Sequence, residues 1–68
     1  MQWVICYYDY EARLQEAHLP PSEDQGLSMM FGCLEVDVEL VEAHVLGLFP
    51  DSARMVSVTS PAGRTVTR

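Results

Sequence analysis

The chain carries two cysteines and two histidines, Cys6, His18, Cys33 and His44, which is the ligand count of a zinc site. Structural zinc sites bring their ligands in close pairs, about two to four residues apart, because one tight turn can then aim both at the metal. Here the four residues are separated by 12, 15 and 11 positions. That spacing argues against a metal, and no metal or other cofactor is expected. Cys33 and His44 would form a nucleophile and base only if the fold joined them by a hydrogen bond and supplied oxyanion donors. No local motif supplies such donors, and a free cysteine is among the residue types most often buried. Gly26, Gly32, Gly47 and Gly63 make no phosphate-binding fingerprint, and there is no nucleophile elbow or calcium loop.

Two other groups invite a role in binding. Glu35, Asp37, Glu39 and Glu42 form a dense acidic run. Paired carboxylates do acid–base chemistry only where burial splits their pKa values, which needs a pocket that a chain this short has little room to build. A solvated helix face is the simpler reading, and an acidic surface that meets arginines on a partner is the functional one. Trp3, Tyr7, Tyr8 and Tyr10 cluster near the start. Aromatics with a polar tip suit a core or an interface, and stacking on nucleic-acid bases would want more cations than Arg13 alone.

The elements that must hold these residues follow from periodicity. Residues 2–8 are β-branched and aromatic, with Trp3, Ile5 and Tyr7 on one face and Val4, Cys6 and Tyr8 on the other, which predicts a central strand. Residues 9–18 are good helix formers, with Asp9 as a candidate N-cap and Tyr10, Leu14 and Ala17 on one helical face. Pro20 and Pro21 end that segment, and residues 20–26 read as a polar loop.

Residues 27–49 fit two periods. Leu34, Val36, Val38 and Leu40 alternate with acids as in a strand, whereas Leu27, Phe31, Leu34, Val38, Val41, Val45 and Leu48 make a heptad seam. The preferred division is a strand over residues 28–36 and a helix over residues 37–49, with Asp37 as N-cap and Glu39 in the first turn. The rival is one helix over residues 22–49, capped by Ser22 with Gln25 three residues on. It would have to absorb Gly26, Gly32 and Gly47, each costing roughly 1 kcal/mol relative to alanine. In the preferred helix Val38, Val41, Val45, Leu48 and Phe49 face inward, and Leu40 and Leu46 point away. Residues 54–60 and 64–67 flank Pro61-Ala62-Gly63 and read as a hairpin.

The expected fold is α+β in one domain over residues 1–68: a small antiparallel sheet with one or two helices on one face and a C-terminal β-hairpin. The alternative is an antiparallel helical pair plus the hairpin. Net charge is −6, which disfavours nucleic acid and anionic membranes as partners. Residues 1–53 hold all ten carboxylates and only Arg13, while residues 54–68 hold Arg54, Arg64 and Arg68 and no acid. An acidic body with a basic tail favours a partner with a basic patch, or self-association.

The leading expectation is therefore a cytoplasmic, non-enzymatic protein-binding regulator or inhibitor that acts through an acidic and apolar surface, as a homodimer or on another protein. Glu35, Glu39, Leu40, Glu42, Leu46, Tyr8 and Tyr10 are its candidate contact residues, and a phage or mobile element acting on host machinery would be one source for it. The alternatives are a small enzyme or ligand-binding subunit with a site at a dimer interface, and an antitoxin-like neutraliser of a basic protein.

Overall fold

The computed structural model describes residues 1–68. Strand β1 (Trp3–Asp9) is followed by β2 (Leu14–Leu19), then by helices α1 (Gln25–Phe31) and α2 (Val38–Leu48), then by β3 (Ser52–Thr59) and β4 (Thr65–Thr67). The four strands form one sheet in the order β2-β1-β3-β4, and every neighbouring pair is antiparallel. The fold is thus the expected α+β class: an antiparallel sheet, two helices and a C-terminal hairpin. No helix is long and apolar enough to cross a membrane.

Burial alternates strictly along β1. Trp3, Ile5 and Tyr7 turn toward the helices and join Leu27 of α1, Val41 and Val45 of α2, and Met55 and Val58 of β3 in one core. Each such side chain taken from water contributes about 1.5–3 kcal/mol. Phe31 meets the Trp3 ring edge-on at 5.0 Å between centroids, and Phe49 stacks on Tyr7 at 5.1 Å. The Tyr7 hydroxyl donates to the Asp51 carboxylate at 3.2 Å. Burial first, and that hydrogen bond next, push the Tyr7 phenol above its usual pKa.

Residues 9–18 correct the helix expectation. Asp9 caps no helix. Its Oδ1 accepts the backbone N–H groups of Glu11 and Arg13, both at 2.9 Å, and its Oδ2 accepts Arg13 Nε at 3.2 Å and Gln15 Nε2 at 3.0 Å. These bonds close a turn in which Ala12 takes a positive φ of 60°, and the chain returns beside β1 as β2. The local helix propensity of Glu-Ala-Arg-Leu-Gln-Glu-Ala is weak against the ladder that a doubly apolar β1 demands on its free side. Pro20 ends β2, as it would have ended a helix.

Residues 28–36 are not a strand, and residues 22–49 are not one helix. Helix α1 begins inside the predicted loop, where the Asp24 carboxylate accepts the Leu27 N–H at 2.9 Å. Gly32 ends it. The chain that follows joins no strand, and its carbonyls turn instead to the Arg64 guanidinium: Nη1 donates to Cys33, and to Phe31 at the end of α1, at 3.2 Å, and Nη2 to Leu34 at 3.1 Å. Asp37 then caps α2 as expected, accepting the N–H groups of Glu39 and Leu40. The predicted hairpin stands, turned by Gly63 at φ 96°.

The Asp9 network makes a pH prediction. The Arg13 backbone N–H, aided by Gln15, lowers the Asp9 carboxyl from 3.8 to about 2. A depressed carboxyl contributes stability that is present above its unfolded pKa and is lost as pH falls through the folded one. Melting temperature followed by circular dichroism should therefore drop between pH 3.8 and about 2, and Asp9→Asn should lower it at neutral pH and flatten this acid limb. An unchanged limb in the variant would contradict the assignment.

Candidate functional site

The candidate residues separate into those used inside the chain and those left free. Glu42 is used. Strand β3 carries two register shifts against β1, which leave Val56 and Ala53 as extra residues. The N–H of Met55, between the two, is held by Glu42 Oε2 at 3.2 Å, and Arg68 Nε lies 3.5 Å from Glu42 Oε1. Glu42 thus stands in for a ladder partner that the three-residue β4 is too short to supply. Tyr8 is half-buried beneath the Arg54 guanidinium, 4.6 Å from the ring centroid. With Tyr10, Ala53 and Arg54 it lines a shallow depression beside the β1–β2 turn. Leu46 is half-buried rather than free, and Leu48 is partly exposed, with Phe49 packed on the core at the end of α2.

The remaining candidates lie along one segment. Glu35 is exposed in the α1–α2 loop, and Glu39 and Leu40 are exposed on the first turn of α2. Two residues that sequence reasoning did not select join them. Leu34 is 95% exposed, and Met29, on the last turns of α1, is 76% exposed; Leu40 is 59% exposed. The heptad seam had placed Leu34 inside. The carbonyls of Phe31, Cys33 and Leu34 accept from Arg64, so the loop that presents this apolar side chain to water is tied to the β3–β4 turn.

All four arginines are engaged within the chain: Arg13 on Asp9 and Glu11, Arg54 over Tyr8, Arg64 on the α1–α2 loop and Arg68 on Glu42. The C-terminal cations are therefore not a free basic tail. Glu23, Glu35 and Glu39 have no ion-pair partner, and Asp37 is spent on its cap.

The cysteines and histidines are not brought into one cluster, and no group of three metal-ligating side chains exists. Cys33 is exposed, its thiol 3.7 Å from the Met29 carbonyl. His44 is turned to Asp24, with Nε2 2.9 Å from both carboxylate oxygens. Burial pushes the Asp24 carboxyl up, but the Leu27 N–H and the His44 ring outweigh it, and its pKa is lowered. A Cβ at Gly26 would stand 2.6 Å from His44 Cε1, so the glycine makes room for this pair. The pair ties the start of α1 to α2, and Cys33 makes no hydrogen bond to it. Cys6 points its half-buried thiol toward Glu16 at 3.9 Å, and His18 pairs with the same Glu16 at 2.7 Å.

Comparison of the chain with family models, with curated proteins and with solved structures finds no match.

The two acids of α2 should behave differently. Glu42→Ala leaves the Met55 N–H without its acceptor and should cost about 1–3 kcal/mol in urea denaturation. Glu39→Ala, which removes an exposed and unpaired acid, should stay within about 0.5 kcal/mol of the parent. Equal costs at the two positions would contradict the division drawn between them.

Proposed function

We propose that this protein is a non-enzymatic protein-binding regulator, and that its contact surface is the α1–α2 corner. The observation that carries the reading is Leu34, 95% exposed on a loop whose Phe31, Cys33 and Leu34 carbonyls are tied to Arg64. A large apolar side chain in water on a mobile loop needs no explanation. One held in place is a preorganised anchor, because the loop-ordering entropy has been lost on folding and is not charged again on binding.

Met29 and Leu40 extend the apolar surface to either side along the chain. Glu35 and Glu39 flank Leu34 and Leu40 in sequence, and neither has a cation of its own. The division of labour follows from general physics. Buried apolar contacts at the centre of an interface set how slowly a complex dissociates, and rim charges set how fast and with whom it forms. The partner that fits is a protein with an apolar pocket bordered by arginine or lysine. With every arginine of this chain already engaged, the surface offers such a partner acid without competing base.

Capture from a lysate of the source cells, at low and high salt, tests the reading. The parent protein should retain one specific protein at both salts. Leu34→Asp combined with Leu40→Asp should lose it at both, with circular dichroism unchanged. Glu35→Gln combined with Glu39→Gln should weaken capture at low salt only, since exposed charges are screened over roughly 8–10 Å at moderate ionic strength. Retention of the same protein by the leucine variant, or an empty column for the parent, would contradict the proposal. A complex that high salt abolishes would instead mark a neutraliser held by charge alone.

A further inference from the structure

The sheet has two edges, and the chain treats them differently. β4 is three residues long, the shortest strand of the sheet. β2 presents six residues, is paired on one side only, and contains no proline, no lysine and no register shift. Short strands, prolines, lysines and bulges are the devices by which folded proteins keep an edge from pairing with another chain. β2 uses none of these four, and its one formal charge is Glu16.

The ladder shows which backbone groups are free. The Asp9 N–H donates to the Arg13 carbonyl at 3.0 Å, so these two residues belong to a hydrogen-bonded pair. Bonded and non-bonded pairs alternate in an antiparallel ladder. In the β1–β2 register, Gln15, Ala17 and Leu19 then bond inward to Tyr7, Ile5 and Trp3. The N–H and carbonyl groups of Leu14, Glu16 and His18 point outward from the sheet edge.

We propose that β2 pairs antiparallel with β2 of a second copy of this chain, across a two-fold axis at Ala17, to form one continuous eight-stranded sheet. Residues opposite each other in such a ladder must face the same side, which leaves few registers. Pairing Glu16 with Glu16 sets two carboxylates side by side. Pairing His18 with His18 brings Glu16 against Pro20, which has no N–H to give. Pairing Glu16 with His18 of the second copy exchanges both backbone bonds at each of two symmetry-related positions. It sets each carboxylate against an imidazole, leaves only the small Ala17 facing its copy at the axis, and moves Pro20 to the two ends of the ladder, opposite Leu14, where its missing N–H loses one bond per end. Within one chain, His18 Nε2 already lies 2.7 Å from Glu16. The four side chains therefore alternate acid and imidazole both along and across the ladder. This surface is separate from the α1–α2 corner, so either proposal can fail without the other.

Sedimentation equilibrium of the full chain tests the proposal. The parent protein should be a dimer. Glu16→Pro removes one outward N–H per chain and no inward one, a placement that edge strands tolerate, so it should leave the circular dichroism spectrum intact and yield a monomer. Glu16→Lys should weaken the dimer at least tenfold, and adding His18→Glu to it should restore the affinity by exchanging the two signs. A monomeric parent, a Glu16→Pro variant that is folded and still dimeric, or a double variant as weak as Glu16→Lys alone would overturn the inference.

Discussion

Trp3, Ile5 and Tyr7 leave water on one face of β1, and that burial organises the rest of the molecule. The strand needs a ladder partner on each side and a cover on this face. The chain supplies them in order: β2 by an immediate return, two helices as the cover, and β3 by a crossover that lands on the remaining side. Val4, Cys6 and Tyr8, on the other face, are half-buried and have no helix above them. Their partners across β2 are His18, Glu16 and Leu14, all exposed. One hydrophobic layer is what 68 residues can close, and the second face of the sheet is left partly open to water.

Around that layer, a few charged groups do the work of missing backbone partners. Asp9 satisfies the β1–β2 turn, Asp24 the first turn of α1, Glu42 the bulged part of β3, and Arg64 the carbonyls after α1. Side chains take over where a strand or helix stops and its end groups have no backbone partner. This use of charge also decides what the surface offers. It consumes every arginine and half of the acidic run, and it leaves Glu35 and Glu39 unpaired, next in sequence to the exposed Leu34 and Leu40.

The sequence was legible where local chemistry and tertiary demand agreed. Residues 2–8 carry two apolar faces and predict a central strand, which forms one position later, over Trp3–Asp9. Asp37 followed by Glu39 marks a helix start and is one. The Pro61-Ala62-Gly63 turn sits where the hairpin turns. Legibility failed where the two conflicted. Residues 9–18 have helical composition, but the deciding interaction is Asp9 with Arg13 and Gln15, whose geometry a helical reading of the same residues conceals. The alternation from Leu34 to Leu40 has the period of a strand, yet it straddles a loop and a helix start. The carbonyl of its first residue, Leu34, is taken by Arg64, 30 positions later in the chain. Glu42 looked equivalent to Glu39 because the bulge it serves is a property of strand pairing. Leu34 was assigned to a seam that exists only if residues 22–49 form a single helix.

Leu34 is an anchor only if its loop is rigid, and backbone order parameters from nuclear magnetic resonance relaxation address that directly. In the parent protein the amides of residues 32–36 should match the strands, at about 0.85, and in Arg64→Ala they should fall below about 0.6 while β1 and β3 stay rigid. A parent loop already below about 0.6 would make Leu34 an ordinary exposed side chain on a mobile segment, and the anchor would be gone.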